Sequence, residues 1–145
     1  PPSPGSVTRV RNFANRIGCP IAIIDKRRPA PNVCEVMSII GDVKGKKILL
    51  IDDMVDTAGT ICNAAKALMD NGALEVSACA THAVLSGPAL ERIEKSPIKE
   101  FVFLDTIHLG PEKMLDKFTI LSTADYFAKA IRKVYIDEPM SEMYE

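Results

Sequence analysis

The feature that most constrains the fold is the apolar run Ile48–Ile51, which leads directly into a polar loop and then into a helical pattern. The run shows no alternation of apolar and polar side chains, which predicts a strand buried on both faces, as in a parallel sheet under helices. Apolar residues between Ile61 and Met69 recur at helical spacing, and the pattern ends at Gly72. The sequence therefore predicts one strand–loop–helix unit of an α/β protein.

The same alternation continues along the chain. Helical patterns occur over residues 7–17, 88–95 and 124–135, and strand patterns over 21–24, 36–40, 76–80, 101–104 and 118–121. In the first and last helices the residues expected to face the core are Val7, Val10, Phe13, Ala14 and Ile17, and Phe127, Ala130, Ile131 and Val134. We expect an α/β fold with a mainly parallel, twisted sheet flanked by helices. Residues 1–6 read as a ragged or engineered end, and residues 7–145 as a single domain.

Charge and composition exclude several classes of protein. Eighteen basic and nineteen acidic residues give a net charge of −1, which provides no field for a nucleic acid or an anionic membrane surface. No apolar run approaches the roughly 18 residues of a membrane span, and the opening residues lack the pattern of a signal peptide. The four cysteines form no C-x-x-C pair. We expect reduced thiols in a cytoplasmic protein.

The loop Asp52–Thr60 concentrates polar and small residues at the end of the strongest predicted strand. Thr57 and Thr60 offer hydroxyl donors, and the small residues Ala58 and Gly59 allow a ligand to approach the backbone closely. The start of the following helix adds unpaired N–H groups and the positive end of the helix dipole. Together these features predict a cradle for a phosphate monoester.

The adjacent carboxylates of Asp52 and Asp53 predict the second part of the ligand. Each can accept one hydrogen bond from a vicinal diol, and carboxylate oxygens also suit Mg²⁺. A sugar phosphate carries both the diol and the phosphate. The alternative is an ordinary capped turn in which Asp56, Thr57 or Thr60 caps the helix, but the loop holds more polar residues than one cap requires.

Three stretches carry a resemblance to a known family. Asp52–Thr60 resembles the ribose-5-phosphate loop of the type I phosphoribosyltransferase superfamily, in the variant found in the ribose-phosphate pyrophosphokinases. The basic, proline-rich stretch Asp25–Asn32 resembles the catalytic loop of those enzymes, and Thr81–Ala89 resembles their next strand-to-helix connection. The resemblance extends from about Val7 to about Val134 and corresponds to the carboxyl-terminal half of a two-domain enzyme.

The resemblance implies a type I phosphoribosyltransferase-like fold and a transfer of diphosphate from ATP to ribose 5-phosphate, giving phosphoribosyl pyrophosphate and AMP for nucleotide biosynthesis. It implies Mg²⁺ as cofactor, the amino-terminal half of the enzyme as partner, and a homo-oligomer built from dimers into hexamers. Lys26 and Arg28 would stabilise the transferred phosphates. Asp52 and Asp53 would hold the ribose hydroxyls. The 5-phosphate would lie on Asp56, Thr57, Ala58, Gly59 and Thr60.

One departure from the family pattern affects the metal. The family has an Asp where this sequence passes directly from Pro4 to Gly5, so the metal ligands are unassigned and the activity of this chain alone is open. Two other functions compete with the synthetase. A transferase that consumes phosphoribosyl pyrophosphate with a nucleobase is disfavoured by the basic, proline-rich stretch. A non-catalytic module that binds a sugar phosphate is favoured by the missing Asp.

Overall fold

Besides two short 3₁₀ helices, Pro111–Lys113 and Ser141–Met143, four α-helices and six strands lie in the part of the chain that the structure, a computed structural model, describes: residues 4–27 and 36–144. In chain order they are α1 (Pro4–Ile17), β1 (Ile23–Arg27), β2 (Val36–Ile40), β3 (Lys47–Val55), α2 (Gly59–Asp70), β4 (Glu75–Ala83), α3 (Ala89–Lys95), β5 (Ile98–Leu104), β6 (Phe118–Leu121) and α4 (Ala124–Tyr135). The predicted bounds of β2, β6 and α4 are confirmed, whereas α1 begins three residues before its predicted start. Within these residues no helix combines the length and the apolar character that a membrane crossing needs.

The strands form two sheets. β3, β4, β5 and β6 lie side by side in that order and are all parallel, which confirms the predicted α/β class. β1 and β2 form a separate antiparallel ribbon, with Ile23 opposite Ile40. Because β3–β6 are all parallel, their carboxyl ends lie at one edge of the sheet, where ligands bind in α/β proteins.

The core lies on one face of the parallel sheet. In register, Leu50 of β3 lies beside Ala78 of β4, which lies beside Phe101 of β5. Small residues on β4 leave room for α2, which buries Ile61, Ala64, Ala65 and Leu68. Three aromatic rings fill the far end of this face: Phe101 stacks on Phe103 at 4.3 Å between centroids, and Phe118 meets Phe103 edge-on at 5.2 Å.

The opposite face of the sheet is less covered than the sequence predicts. Ile48–Ile51 is expected to be buried on both faces, but Leu49 is 44% exposed. The prediction is wrong at this residue because Leu49 lies on the face opposite the one that Ile48 and Leu50 pack against the core, and the described residues leave that face partly open. An apolar run without alternation indicates that both faces of the strand are suited to burial. It does not indicate that this chain covers both faces.

The predicted inner faces of the first and last helices are also largely open. Among the α1 side chains that the structure describes, Ala14 is the only buried one, and Phe13 and Ile17 are exposed. The predicted core residue Val7 lies outside the described side chains. No residue of α4 is buried, and Phe127 and Ile131 are 55% and 69% exposed. The predicted packing of α4 is therefore wrong in this chain. The physical reason is that α4 follows the last strand of the sheet and is not held over it by a crossover to another described strand.

Candidate functional site

The loop after β3 surrounds a cavity of about 190 Å³ at the carboxyl edge of the sheet. Its lining residues are Asp52, Met54, Val55, Asp56, Thr57, Ala58, Gly59, Thr60 and Ile61. Every residue predicted to hold the sugar phosphate lines this cavity except Asp53. The structure thus brings two predicted carboxylate residues, Asp52 and Asp56, both threonines and the start of α2 into one small, polar space.

Asp53 lies beside the cavity, next to Asp52. The Asp53 N–H donates to Oδ1 of Asp52 at 3.0 Å, and the Met54 N–H donates to Oδ1 of Asp53 at 2.9 Å. Burial raises the pKa of Asp52 above its ordinary value, and the neighbouring Asp53 carboxylate adds to the rise, although the bond from the Asp53 N–H opposes it. Two acceptor groups therefore stand together at the end of β3, as a diol or a hard cation requires.

The start of α2 is not capped by a side chain. Ala58 occupies the N-cap position in the left-handed region, with φ 59° and ψ 3°, and its carbonyl accepts the first helical bond from the Cys62 N–H at 3.1 Å. This finding argues against the ordinary capped turn, which needs an oxygen of Asp56, Thr57 or Thr60 on the first amides of the helix. The amides of the first turn and the two threonine hydroxyls remain available to a ligand.

The carboxylate of Asp56 is engaged within the protein. It accepts a hydrogen bond from the Ser86 hydroxyl, while the Ser86 N–H donates to the Asp56 carbonyl at 3.1 Å. Asp56 therefore ties the loop to the segment after β4. A carboxylate repels a phosphate. The contact with Ser86 therefore explains the presence of Asp56 in the loop without requiring its side chain to bind the anion.

Two residues of the loop's surroundings were missed by sequence reasoning. Ser86 lies inside the stretch singled out by resemblance, although no role was inferred for it. Arg92 of α3 donates from Nη1 to the Thr57 carbonyl at 2.9 Å. No motif in the sequence marks Arg92, because a contact across 35 residues depends on how α3 is placed against the loop.

The two predicted catalytic residues fall at the edge of what the structure describes. The backbone of Lys26 lies in β1, paired with Met37 of β2. Arg28 lies outside the described residues. Their contribution to the site therefore remains a prediction from the sequence.

The carboxylates at the end of β3 are the candidate donor groups for a metal ion. Among the described residues no three His, Cys, Asp or Glu side chains converge as a metal site. Mg²⁺ commonly uses only one or two carboxylates and takes its other ligands from substrate phosphates and water. The adjacent Asp52 and Asp53 fit that pattern.

His82 makes a side-chain hydrogen bond near the end of β4. The Thr106 hydroxyl donates to the Thr81 carbonyl at 2.8 Å, so its oxygen is free to accept from Nδ1–H of His82, 2.9 Å away. The pair ties the ends of β4 and β5 together close to the candidate site.

Comparison with known proteins identifies relatives of the whole chain. A family model described as the phosphoribosyl synthetase-associated domain matches residues 27–145. The ribose-phosphate pyrophosphokinase of Clostridium acetobutylicum is 61% identical over 144 residues, which are 99% of this chain and 45% of that protein. The ribose-phosphate pyrophosphokinase of Caldanaerobacter subterraneus subsp. tengcongensis is 57% identical over 143 residues, again 99% of this chain and 45% of that protein.

A solved structure shares the fold. The crystal structure of phosphoribosylpyrophosphate synthetase from Mycobacterium smegmatis superposes with a TM-score of 0.84 at 36% sequence identity, covering 92% of this chain and 43% of that one. The chain thus spans about half the length of the relatives that it matches.

Proposed function

Because this chain belongs to the phosphoribosyl synthetase-associated domain family, we propose that it is the carboxyl-terminal half of a ribose-phosphate pyrophosphokinase and supplies the ribose-5-phosphate site. In the proposed reaction the anomeric oxygen of ribose 5-phosphate attacks the β-phosphorus of ATP. The bond from that phosphorus to the oxygen shared with the α-phosphate breaks. AMP leaves, the hydroxyl proton passes to water, and phosphoribosyl pyrophosphate is formed.

The observation that carries the proposal is the uncapped start of α2 beside the cavity. Amide N–H groups at a helix start, with the positive end of the dipole, favour an anion. Thr57 and Thr60 line the same cavity and add hydroxyl donors. We assign the 5-phosphate to this cradle, formed by Thr57, Ala58, Gly59 and Thr60, with Asp56 holding the loop.

The ribose hydroxyls are assigned to Asp52 and Asp53. Each carboxylate accepts an O–H bond, and the orientation of the ring follows from anchoring its diol at one end and its phosphate at the other. Mg²⁺, held by these carboxylates, would supply charge neutralisation for the phosphates. Lys26 and Arg28, by resemblance, would add positive charge where the β-phosphoryl group is transferred.

The rest of the protein is proposed to dock on the open apolar face of α4. Relatives are more than twice as long as this chain, since it covers 45% of them. A helix with Phe127 and Ile131 exposed is stable in solution when another surface covers it. We assign that surface to the remaining part of the same polypeptide, which would also complete the ATP site. By resemblance, we expect a cytoplasmic homo-oligomer.

Two other functions can be distinguished from that of the synthetase. The names of the relatives do not favour a transferase that consumes phosphoribosyl pyrophosphate. A non-catalytic sugar-phosphate module would bind ribose 5-phosphate and never release AMP. Turnover therefore separates it from the synthetase.

The proposal is tested by measuring AMP release from Mg-ATP, with and without ribose 5-phosphate, for this chain and for the longer polypeptide that carries it. Release by the longer polypeptide that depends on the sugar phosphate supports the synthetase. If this chain also releases AMP, it holds enough of the ATP site by itself. Sugar-phosphate binding without release by either protein would contradict the synthetase and favour the non-catalytic module.

A further inference from the structure

The segment from Val84 to Arg92 holds three consecutive carbonyls of the phosphate loop. The carbonyl of Val55 accepts from the N–H groups of Val84 and Leu85 at 3.1 and 3.0 Å. The carbonyl of Asp56 accepts from the Ser86 N–H at 3.1 Å. The next carbonyl, that of Thr57, accepts from Nη1 of Arg92 at 2.9 Å. Arg92 thus completes the series with a side chain where the backbone ladder has ended.

A carbonyl held by a hydrogen bond fixes the direction of the N–H group of the next residue, because both groups belong to one peptide plane. In a planar trans peptide the C=O and the next N–H point in opposite directions. With the Thr57 carbonyl turned toward Arg92 of α3, the N–H of Ala58 is turned away from it. Ala58 itself lines the cavity. Ala58 has φ 59°, a left-handed conformation that is uncommon for a residue with a Cβ. The bond from Arg92 offsets the cost of that conformation.

Arg92 contacts the loop backbone from outside the cavity. It does not line the cavity of about 190 Å³. Instead it lines a separate groove of about 400 Å³ between α2 and α3, together with Gly59 and Lys95. A Cβ built on Gly59 would lie 3.4 Å from Nη1 of Arg92, so the guanidinium packs directly against the start of α2. Its reach is to the loop backbone, not to a ligand inside the cavity.

We propose that Arg92 is a positioning residue for phosphate binding: it holds the Thr57–Ala58 peptide so that the Ala58 N–H points at the ligand phosphate. The inference rests on the proposed ribose-5-phosphate site and adds a residue that never touches the substrate. Arginine suits the position because its planar guanidinium donates in a fixed geometry and stays charged. The charge also lies next to the uncapped helix start, which increases its attraction for an anion.

The test compares Arg92→Met, Arg92→Lys and the control Lys95→Met by calorimetric titration with ribose 5-phosphate and by thermal unfolding. Lys95 lies on the same helix and pairs with Glu91 at 2.6 Å in solvent. Arg92→Met should weaken binding by about tenfold, since it removes a charge-assisted hydrogen bond that orients the loop. Arg92→Lys should restore most of the affinity. Lys95→Met should leave it unchanged.

The amide signal of Ala58 in nuclear magnetic resonance spectra of the ligand-free chain provides a readout that does not require the ligand. Arg92→Met should shift this signal, while Lys95→Met should not. A wild-type chain that fails to bind ribose 5-phosphate would overturn the proposed function. An Ala58 signal and an affinity that Arg92→Met leaves unchanged would overturn the positioning role. Equal weakening by Lys95→Met would also overturn it, because general charge would then explain the effect. If Arg92→Met does not fold, a loss of affinity in Arg92→Lys as large as tenfold would contradict the rescue on which the inference depends.

Discussion

Helices α2 and α4 have the same length and a similar apolar periodicity, yet only one of them is covered. Each has twelve residues. α2 buries four of them, including Leu68, which is 1% exposed. No residue of α4 is buried, and Ile131 is 69% exposed. The comparison shows that periodicity specifies which side of a helix is apolar, while the surface that covers that side depends on the rest of the molecule.

The difference follows from where each helix lies in the chain. α2 connects the neighbouring parallel strands β3 and β4, so the crossover lays it over the sheet. α4 follows β6 and is tied to the sheet at its start, where the Asp105 carboxylate accepts from the Thr123 N–H at 2.7 Å and from the Thr123 hydroxyl at 2.6 Å. Further along the helix, Tyr126 and Lys133 bond to the tail that follows α4, not to the sheet. The loop that we assign to the ligand thus leads into the covered helix, whereas α4 is uncovered in this chain.

The largest expected effect is on stability at a matched pair of positions. Leu68→Ala should lower the free energy of unfolding of the chain by about 2–5 kcal/mol, because it leaves a cavity in the core. Ile131→Ala should change it by no more than about 0.5 kcal/mol, because the side chain is exposed. Urea unfolding followed by circular dichroism measures both values. Equal losses would contradict the difference between the two helices.

The same Ile131→Ala substitution sharpens the comparison in the longer polypeptide that we propose to contain this chain. If the remaining part of the polypeptide covers α4, the substitution should cost on the order of 1–3 kcal/mol there, the value of burying an aliphatic side chain. Thermal unfolding of the longer protein and of this chain, each with and without the substitution, supplies the measurement. An equally small effect in both proteins would remove α4 as the docking surface.

The affinity for ribose 5-phosphate should depend on residues near the start of α2 and not on residues of α4. Asp53→Asn should weaken ribose 5-phosphate binding by about tenfold or more, because a neutral amide is a poorer acceptor for the ribose hydroxyls than a carboxylate. Ile131→Ala should leave the dissociation constant unchanged. Calorimetry on the two variants tests the assignment. An unchanged constant for Asp53→Asn would remove Asp53 from the site.

A smaller effect is expected where α4 is fastened to the sheet. Hydrogen bonds from Thr123 and Ser122 hold the pKa of Asp105 below its ordinary value of 3.8. The stability that Asp105 contributes is therefore present above that value and is lost as the pH falls through the lowered pKa. Asp105→Asn should lower the melting temperature slightly and speed amide hydrogen exchange in the first turn of α4. Unchanged exchange there would contradict the anchoring role.

The smallest effect is a pH dependence at Asp52. Burial raises the pKa of this carboxyl above 3.8. Binding of ribose 5-phosphate should therefore weaken as the pH falls through the raised pKa. Folding has the opposite sign: the contribution of Asp52 to stability is full below the unfolded value and is lost as the pH rises through the folded pKa. Calorimetry from neutral to mildly acidic pH measures the binding. Asp52→Asn is the control that subtracts the titration of the ligand itself, and identical pH profiles would contradict the role of Asp52.

Local chemistry made much of the fold and site predictable. The strand β3, the polar loop after it and the helix α2 follow from residues adjacent in sequence, and a cavity lies beside that loop. The binding of a sugar phosphate there stays a prediction. The departures arise where contacts are distant. Leu49 is exposed because it lies on the face of β3 that points away from the core, and the contact of Arg92 with the Thr57 carbonyl depends on the placement of α3. A local pattern predicts neither which face of a sheet is covered nor where a distant helix lies.

The measurement that tests the central claim most directly is a calorimetric titration of this chain with ribose 5-phosphate, with ribose as the matched ligand lacking the phosphate. We expect saturable binding of ribose 5-phosphate and much weaker binding of ribose, because the loop after β3 provides the anion cradle. No binding of ribose 5-phosphate, or equal binding of the two sugars, would contradict the assignment of residues 52–60 as a sugar-phosphate site.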